Sequence, residues 1–131
     1  MIFVDTSAWF AGVVEDDVDH VDAAAWFSRN TQPLFVTDYI VDETLTLLRA
    51  RGESRKALEI GDLLLNSPEI HVHFLTEDEI RATWEIFKVY SDKNWSFTDC
   101  SSRLICERLD INQAVSFDKH FRQFGMVTVL P

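Results

Sequence analysis

Short apolar runs alternate with longer segments of helical periodicity along the whole chain. Five runs have the length and composition of strands: IFV at 2–4, PLFVT at 33–37, IHVHFL at 70–75, QAVSF at 113–117 and MVTVL at 126–130. Runs that are apolar on both faces are typical of strands buried inside a parallel sheet. The pattern therefore predicts four to five strands, each separated from the next by helical segments.

Helices are predicted between these runs from apolar residues spaced three and four apart and from capping residues. The expected segments are 7–14, 23–30, 38–51, 54–67, 76–91 and 98–109, with a helical turn at 118–121. Thr6 or Ser7 is expected to cap the first of them, and Ser54 the fourth. The sequence TEDE at 76–79 is a capping box, and the helix that follows is expected to place Ile80, Trp84 and Phe87 on one apolar face.

Strands that alternate with helices form a mainly parallel sheet covered on both faces, because each parallel crossover needs a helix. The sequence thus predicts an α/β fold, a three-layer α/β/α sandwich with four to five strands. A chain of 131 residues with 47% hydrophobic residues is expected to form a single domain over 1–131. In such sheets ligand sites lie beyond the carboxyl ends of the strands.

Acidic residues occur where that edge is expected. Asp5 directly follows the first strand, and Asp118 comes two residues after Ser116 near the end of the fourth. Asp99 lies at the start of a predicted helix. Taken alone, each of these three residues can be a helix cap or a turn residue, since aspartate is common at helix starts.

Glu43 is the most informative residue in the sequence. It follows Ile40 by three positions and precedes Leu47 by four, so it shares a helix side with residues that should face the sheet. A partner arginine or a place at the exposed flank of the stripe would explain it without function. Otherwise a buried carboxylate requires a cation, a proton or hydrogen-bond donors.

Several acids gathered at one sheet edge would repel one another unless a divalent cation lay among them. Oxygen ligands without cysteine or histidine at ligand spacing favour Mg²⁺ or Mn²⁺ over zinc. In the absence of metal, at least one of the acids should titrate above its normal pKa of about 4. His71 and His73 point the same way along a strand, but a third zinc ligand is not apparent nearby.

The charge balance and the cysteines narrow the classes of protein. With 22 acidic and 12 basic residues, the formal charge of −10 argues against a broad basic surface for nucleic acid, although an acidic site can meet phosphates through metal. Cys100 and Cys106 are predicted to be core residues in a reducing cytoplasm. The sequence begins with MIFVD, so no signal peptide is expected, and no window is long enough to span a membrane.

Four motifs together resemble a known family: FVDTSAWF at 3–10, VDETLTLL at 41–48, SFTDCSS at 96–102 and AVSFDKHFRQFG at 114–125. The chain is similar over essentially its whole length to PIN-domain ribonucleases, and within them to VapC-like toxins of toxin–antitoxin pairs. The resemblance implies a PIN-like fold and hydrolysis of RNA phosphodiesters with Mg²⁺ or Mn²⁺. It also implies a cognate antitoxin whose arm lies over the active-site groove.

Residue by residue, the resemblance implies the following site. Asp5, Glu43 and Asp99 match the family's acidic triad, and Asp118 matches a more variable fourth acid; these four would be the catalytic and metal-binding residues. Thr6, Ser7 and Ser116 match supporting polar residues. The first candidates for RNA contacts are Lys119, His120 and Arg122 for phosphates, with Lys93 and Trp95 to hold and stack an unpaired base.

Three other classes of protein are alternatives. A phosphate-accepting signalling domain would need a second acid beside Asp5, where Val4 and Thr6 stand, and an aspartate-nucleophile phosphohydrolase would need an acid in place of Ser7. A PIN-fold binding module without cleavage activity is disfavoured by the complete set of acids. Four Trp and ten Phe exceed the evident needs of a small core, so a homodimer is expected, formed through helix faces away from the acids.

Overall fold

The computed structural model describes residues 1–131, and its strands and helices alternate as the sequence pattern indicates. The elements, in chain order, are β1 Ile2–Val4, α1 Thr6–Val13, α2 His20–Arg29, β2 Leu34–Thr37, α3 Asp38–Ala50, α4 Ser54–Asn66, β3 Ile70–His73, α5 Glu77–Val89, α6 Phe97–Arg108, β4 Gln113–Val115, α7 Lys119–Arg122 and β5 Thr128–Leu130. The strands at 70–75, 113–117 and 126–130 are shorter than predicted.

The five strands form one parallel sheet in the order β3-β2-β1-β4-β5. With right-handed crossovers, this order puts the helices that follow β1 and β2 on one face of the sheet and those that follow β3 and β4 on the other. The predicted α/β/α sandwich is therefore confirmed. The chain reverses its direction of travel across the sheet beside β1, between β1 and β4, and this is the position where open α/β sheets hold their ligands.

The sheet is held by a core of fully buried side chains. Phe3 of β1 contacts Phe35 of the neighbouring strand and Phe121 of α7, with ring centroids 6.2 and 5.7 Å apart. All three rings are essentially inaccessible to solvent. Burial of one such ring stabilises the fold by roughly 1.5–3 kcal/mol, so the strand that leads into Asp5 is fixed firmly in position.

Two helix starts differ from the prediction. Asp5 is the N-cap of α1, and its carboxylate accepts a weak bond from the Ser7 backbone N–H at 3.4 Å; Thr6 is already the first helical residue. The N-cap of α4 is Glu53, without a side-chain cap bond, and Ser54 is the first residue inside the helix. In both cases the N-cap is the residue before the first one expected, Thr6 in α1 and Ser54 in α4. Sequence propensity does not define helix ends to within one residue.

The capping box of α5 is confirmed, but its apolar face is not the predicted one. Thr76 and Glu79 bond each other's backbone N–H groups, and the Glu79 carboxylate also bonds His73 at 2.9 Å. These bonds turn Glu79 and Thr83 inward, so Trp84 is 50% exposed and Phe87 lies beside it on the surface. The bond to Glu79 also gives His73 a structural role in place of the zinc interpretation.

Both cysteines are buried and free, in agreement with the prediction that they are core residues. None of the helices combines the length and the apolar character that crossing a membrane requires.

Candidate active site

The first and fourth strands end side by side and bring two polar segments together. The Asp5 backbone N–H donates to the carbonyl of Val115 at 3.1 Å, which continues the pairing of β1 with β4 to their carboxyl ends. Ser116 follows β4 directly, and its hydroxyl donates to the Asp5 carboxylate at 3.0 Å. The edge predicted from the sequence is therefore the edge on which the acids collect.

Asp5 is almost completely buried, with 3% of its surface exposed. Its Oδ2 atom accepts bonds from the hydroxyls of Ser7 at 2.8 Å and Ser116 at 3.0 Å. Burial raises the pKa of Asp5 to about 7, the two serine bonds oppose this increase, and the charges of Asp99 and Glu43 add to it. The expected rise in pKa is therefore present, although burial is a larger cause than the repulsion among acids on which the expectation was based.

Glu43 lies on α3 and reaches the same cleft. It is partly buried, and the neighbouring Thr6 hydroxyl acts to lower the pKa of its carboxyl. Thr6 is itself fixed by a 3.3 Å bond from the Thr44 hydroxyl. Burial raises the pKa of Glu43, and the charges of Asp99 and Asp118 act in the same direction. A partner arginine, the simplest alternative for this residue, is not among its neighbours.

Asp99 has two roles, because it is both a capping residue and a member of the acidic cluster. Ser96 is the N-cap of α6, and the Asp99 Oδ2 atom accepts from the Ser96 backbone N–H at 3.0 Å in a capping box. The same oxygen bonds Nδ1 of His120 at 2.9 Å. The cap interpretation and the site interpretation of Asp99 are thus compatible.

Asp118 is fixed by the turn between β4 and α7. Its backbone N–H donates to the Ser116 hydroxyl at 3.0 Å, and its carboxylate accepts from the His120 backbone N–H at 2.9 Å as the N-cap of α7. The Nδ1 atom of His120 lies 3.4 Å from Oδ1 of Asp118. The Ser7 hydroxyl bonds the Phe117 backbone N–H at 2.9 Å, so this turn is tied to α1 as well.

All four acids line one open cleft of about 360 Å³. The cleft is lined by Asp5, Thr6, Ser7, Glu43, Leu47, Asn94, Ser96, Asp99, Asp118 and His120. Ligand atoms of Asp99, Asp118 and His120 lie within 4.8 Å of one another.

The donor set of this cleft fits a hard divalent cation. Carboxylate oxygens are the ligands that Mg²⁺ and Mn²⁺ prefer. The serine hydroxyls bond one oxygen of Asp5 and leave Oδ1 for an ion. The pKa of Asp5 is raised because the protein offers its buried negative charge too few stabilising partners. A bound cation would stabilise that charge.

The candidates for RNA contacts separate into two groups. Lys93, Lys119 and Arg122 are exposed, and the first two adjoin the cleft residues Asn94 and Asp118 in the chain. Trp95 is only 5% exposed, packs against Tyr90 and Phe124, and donates its Nε1–H to Gln123. This burial contradicts the expectation that Trp95 stacks on an unpaired base; its ring is part of the core.

Sequence reasoning overlooked three cleft residues: Leu47, Asn94 and Ser96. Ser96 could have been found, since a serine three residues before Asp99 is the pattern of a capping box. Asn94 lies in the loop between α5 and α6, where asparagine is common for local reasons, so its sequence context did not indicate a site residue. His120 was assigned to phosphate, but the structure directs its ring at Asp99 and Asp118.

The fold and the cleft define a class of protein, an α/β protein with four carboxylates at the switch point of a parallel sheet. Comparison with protein-family models matches residues 2–126 to the PIN domain. The chain therefore belongs to the PIN-domain family.

Individual relatives agree with this assignment. The chain is 30% identical over 131 residues to the 23S rRNA-specific endonuclease VapC20 of Mycobacterium tuberculosis, which covers 100% of this chain and 99% of the relative. It is 33% identical over 125 residues to a VapC ribonuclease of Archaeoglobus fulgidus, which covers 90% of this chain and 77% of the relative. The crystal structure of VapC20, described as a sarcin–ricin loop cleaving toxin, superposes with a TM-score of 0.92 at 29% identity over 100% of both chains.

Proposed function

We propose that the protein is a Mg²⁺- or Mn²⁺-dependent endoribonuclease and the toxin of a toxin–antitoxin pair, acting in the cytoplasm. The observation that carries the proposal is the convergence of Asp5, Glu43, Asp99 and Asp118, from four separate segments, on one cleft at the carboxyl edge of the sheet. Acids that only capped helices would not need to share a cleft. The similarity to VapC ribonucleases over the length of the chain supports the same activity.

A divalent ion held by Asp5, Glu43, Asp99 and Asp118 would supply an activated water and would neutralise charge that develops on the phosphate in the transition state. The protein's own residues prepare the site. Ser7 and Ser116 hold the Asp5 carboxylate in one orientation, and the Thr6 hydroxyl favours the ionised form of Glu43 by lowering its pKa. The Ser96 backbone N–H orients Asp99. Because these acids are already held in position, the site would not have to rearrange before the reaction.

We propose ribosomal RNA as the substrate, because the relative that covers the whole chain is named for 23S rRNA and for the sarcin–ricin loop. Lys93, Lys119 and Arg122 are the proposed phosphate contacts. With a formal charge of −10, the protein offers these few cations in place of a broad basic surface. Recognition would then depend on the shape of one RNA segment at the cleft.

Incubation of the purified protein with intact ribosomes should produce a discrete rRNA fragment in Mg²⁺ or Mn²⁺ and none in EDTA. Expression of the chain alone should arrest growth within minutes and yield the same fragment, mapped by primer extension. Cleavage at many unrelated positions would contradict the rRNA assignment but retain the nuclease. RNA binding without metal-dependent cleavage would establish the alternative, a PIN-fold binding module.

We propose that the antitoxin arm lies over the acidic cleft and that it carries arginine or lysine. A row of aromatic rings extends from this region, half-buried at Tyr39 and Phe97 and exposed at Phe87 and Trp84: Tyr39 contacts Phe97, Phe97 contacts Phe87, and Phe87 stacks with Trp84. Tyr39 lies one helical turn before Glu43 on α3, so the row begins beside the acids. The acidic segment 15–22 follows α1 at its far end, about 12 Å along the helix from Asp5, and contributes less to this field.

We propose that the protein is a homodimer. The helix α4 exposes Leu58, Leu63 and Leu65 to solvent, with Leu58 68% exposed. Leu58 and Leu65 are seven positions apart and share one side of the helix, where an exposed apolar surface suits an interface. These leucines lie outside the residues that line the acidic cleft, as the expected dimer requires.

The homodimer and the complex with the antitoxin should differ in their response to salt. In light scattering the protein alone should have the mass of two chains at both 0.1 and 1 M NaCl, because apolar contacts are not screened. The complex with its antitoxin should dissociate more readily at 1 M, where the Debye length falls to about 3 Å. A mass of one chain at all protein concentrations would exclude the homodimer, and an antitoxin affinity independent of salt would exclude the electrostatic contact.

A further inference from the structure

The local backbone conformation at the start of α7 places His120 among the acids. Asp118 caps α7 by accepting the His120 backbone N–H, so the first turn of this helix brings the imidazole back toward the cleft. The ring is 18% exposed, and its Nδ1 atom lies 2.9 Å from Oδ2 of Asp99 and 3.4 Å from Oδ1 of Asp118. The sequence motif alone does not show this orientation.

These distances suit a shared ion. Two ligand atoms on adjacent corners of an octahedron with bonds of about 2.1 Å are about 3.0 Å apart. The separation between Nδ1 and Oδ2 matches this value, and that between Nδ1 and Oδ1 of Asp118 needs a shift of only a few tenths of an ångström. All three ligand atoms lie within 4.8 Å of one another, whereas Asp5 and Glu43 lie outside this group in the same cleft.

We propose that His120 is a metal ligand through Nδ1, together with Asp99 and Asp118, and that this imidazole makes the site prefer Mn²⁺ to Mg²⁺. The inference rests on the proposed metal-dependent activity and deepens it. Imidazole binds transition-metal ions much more readily than Mg²⁺, which selects oxygen. An all-carboxylate site would show a smaller preference. Neutral His120 carries its proton on Nε2 when Nδ1 is a ligand, and Nε2 is free to take it because the ring's contacts in the cleft are all through Nδ1.

Electron spin-echo envelope modulation of Mn²⁺ bound to the purified protein detects magnetic coupling between the ion and the nitrogen nuclei of its ligands. The unmutated protein should show coupling to one imidazole ¹⁴N, and labelling of histidine with ¹⁵N should change it. In His120→Gln the coupling should disappear, while the glutamine amide can still donate to Asp99. The affinity for Mn²⁺ should fall about tenfold in His120→Gln, and that for Mg²⁺ less than about threefold, by calorimetric titration.

His71→Gln is the matched control, because His71 is exposed on β3 outside the cleft and the chemical change is the same. It should keep both the nitrogen coupling and the affinity for Mn²⁺. His120→Asp supplies an oxygen ligand in place of nitrogen, and it should lose the coupling while retaining Mg²⁺ binding. Melting of each variant without metal identifies any loss of fold before the metal data are compared.

The two levels of the proposal fail in different ways. If Mn²⁺ binds to the unmutated protein without nitrogen coupling, or if the coupling persists in His120→Gln, the ligand role of His120 is overturned and the metal site remains. If neither ion binds at all, the metal-dependent activity itself fails. Equal losses of Mn²⁺ and Mg²⁺ affinity in His120→Gln would overturn the claimed selectivity, since they would indicate that His120 only orients Asp99.

Discussion

Replacement of Asp5 by asparagine is expected to abolish RNA cleavage and to leave the metal-free protein at least as stable as the unmutated chain. The rate should fall by roughly 10³-fold or more, because a charged group aimed at the reacting centre is removed. Stability at pH 8 should rise by roughly 1–4 kcal/mol, since an ionised and buried carboxylate is replaced by a neutral amide, and the raised pKa of Asp5 sets the upper value. Asparagine is also a good N-cap, so the start of α1 is retained.

Glu43→Gln should behave in the same way, because the pKa of Glu43 is also raised by burial. Asp42→Asn is the matched control: it lies next to Glu43 on α3, is exposed, and should keep full activity. Asp99→Asn is a poorer test, since Asp99 also closes the capping box of α6, and loss of a cap costs roughly 0.5–2 kcal/mol. Asp118→Asn should lower activity less than the other three amides.

Cleavage assays over a range of Mg²⁺ and Mn²⁺ concentrations, with urea unfolding in EDTA, measure both quantities. The metal-site interpretation should be abandoned if Asp5→Asn and Glu43→Gln both keep near-normal, metal-dependent cleavage while melting several degrees lower. That result would mean that both acids serve the fold alone.

The sequence was sufficient for those parts of the fold and site that depend on local pattern. The strands were found because buried parallel strands are apolar on both faces, and the edge that carries Asp5 and Asp118 followed from their positions at strand ends. Glu43 was found because a carboxylate on the inner side of a helix conflicts with the periodicity around it. Each of these inferences depends only on a residue and on its near neighbours in the sequence.

The features that the sequence did not provide depend on long-range contacts. The ring of Trp95 is buried because Phe124 and Gln123, almost thirty residues later, cover it. The inner face of α5 is set by the bond between Glu79 and His73 of β3, which overrides the apolar stripe that contains Trp84. Side chains of intermediate polarity pack in either direction, so their burial is decided by the tertiary neighbours and not by their own hydropathy.

In the metal-free protein, the free energy of unfolding should decrease as the pH rises from about 4 to about 7. The folded state holds the Asp5 proton up to a pKa of about 7, whereas the unfolded chain loses it near the ordinary value of 3.8. Between these values the folded state binds more protons than the unfolded state, so stability falls with pH. The loss due to Asp5 is on the order of 4 kcal/mol, and Glu43, whose pKa is also raised, acts in the same direction.

Urea unfolding in EDTA between pH 5 and pH 8 measures this effect, and the difference in stability between the unmutated chain and Asp5→Asn isolates the contribution of Asp5 from that of every other group. The difference should grow as the pH rises and level off above pH 7. Mg²⁺ or Mn²⁺ at one hundred times its dissociation constant should restore about 2.7 kcal/mol to the unmutated chain and much less to the variant. Because an ion must displace the Asp5 proton, its affinity should also increase with pH up to about 7. A difference that stays constant from pH 5 to pH 8 would show that Asp5 is already ionised at pH 5, and the argument that a buried acid awaits its cation would then fail.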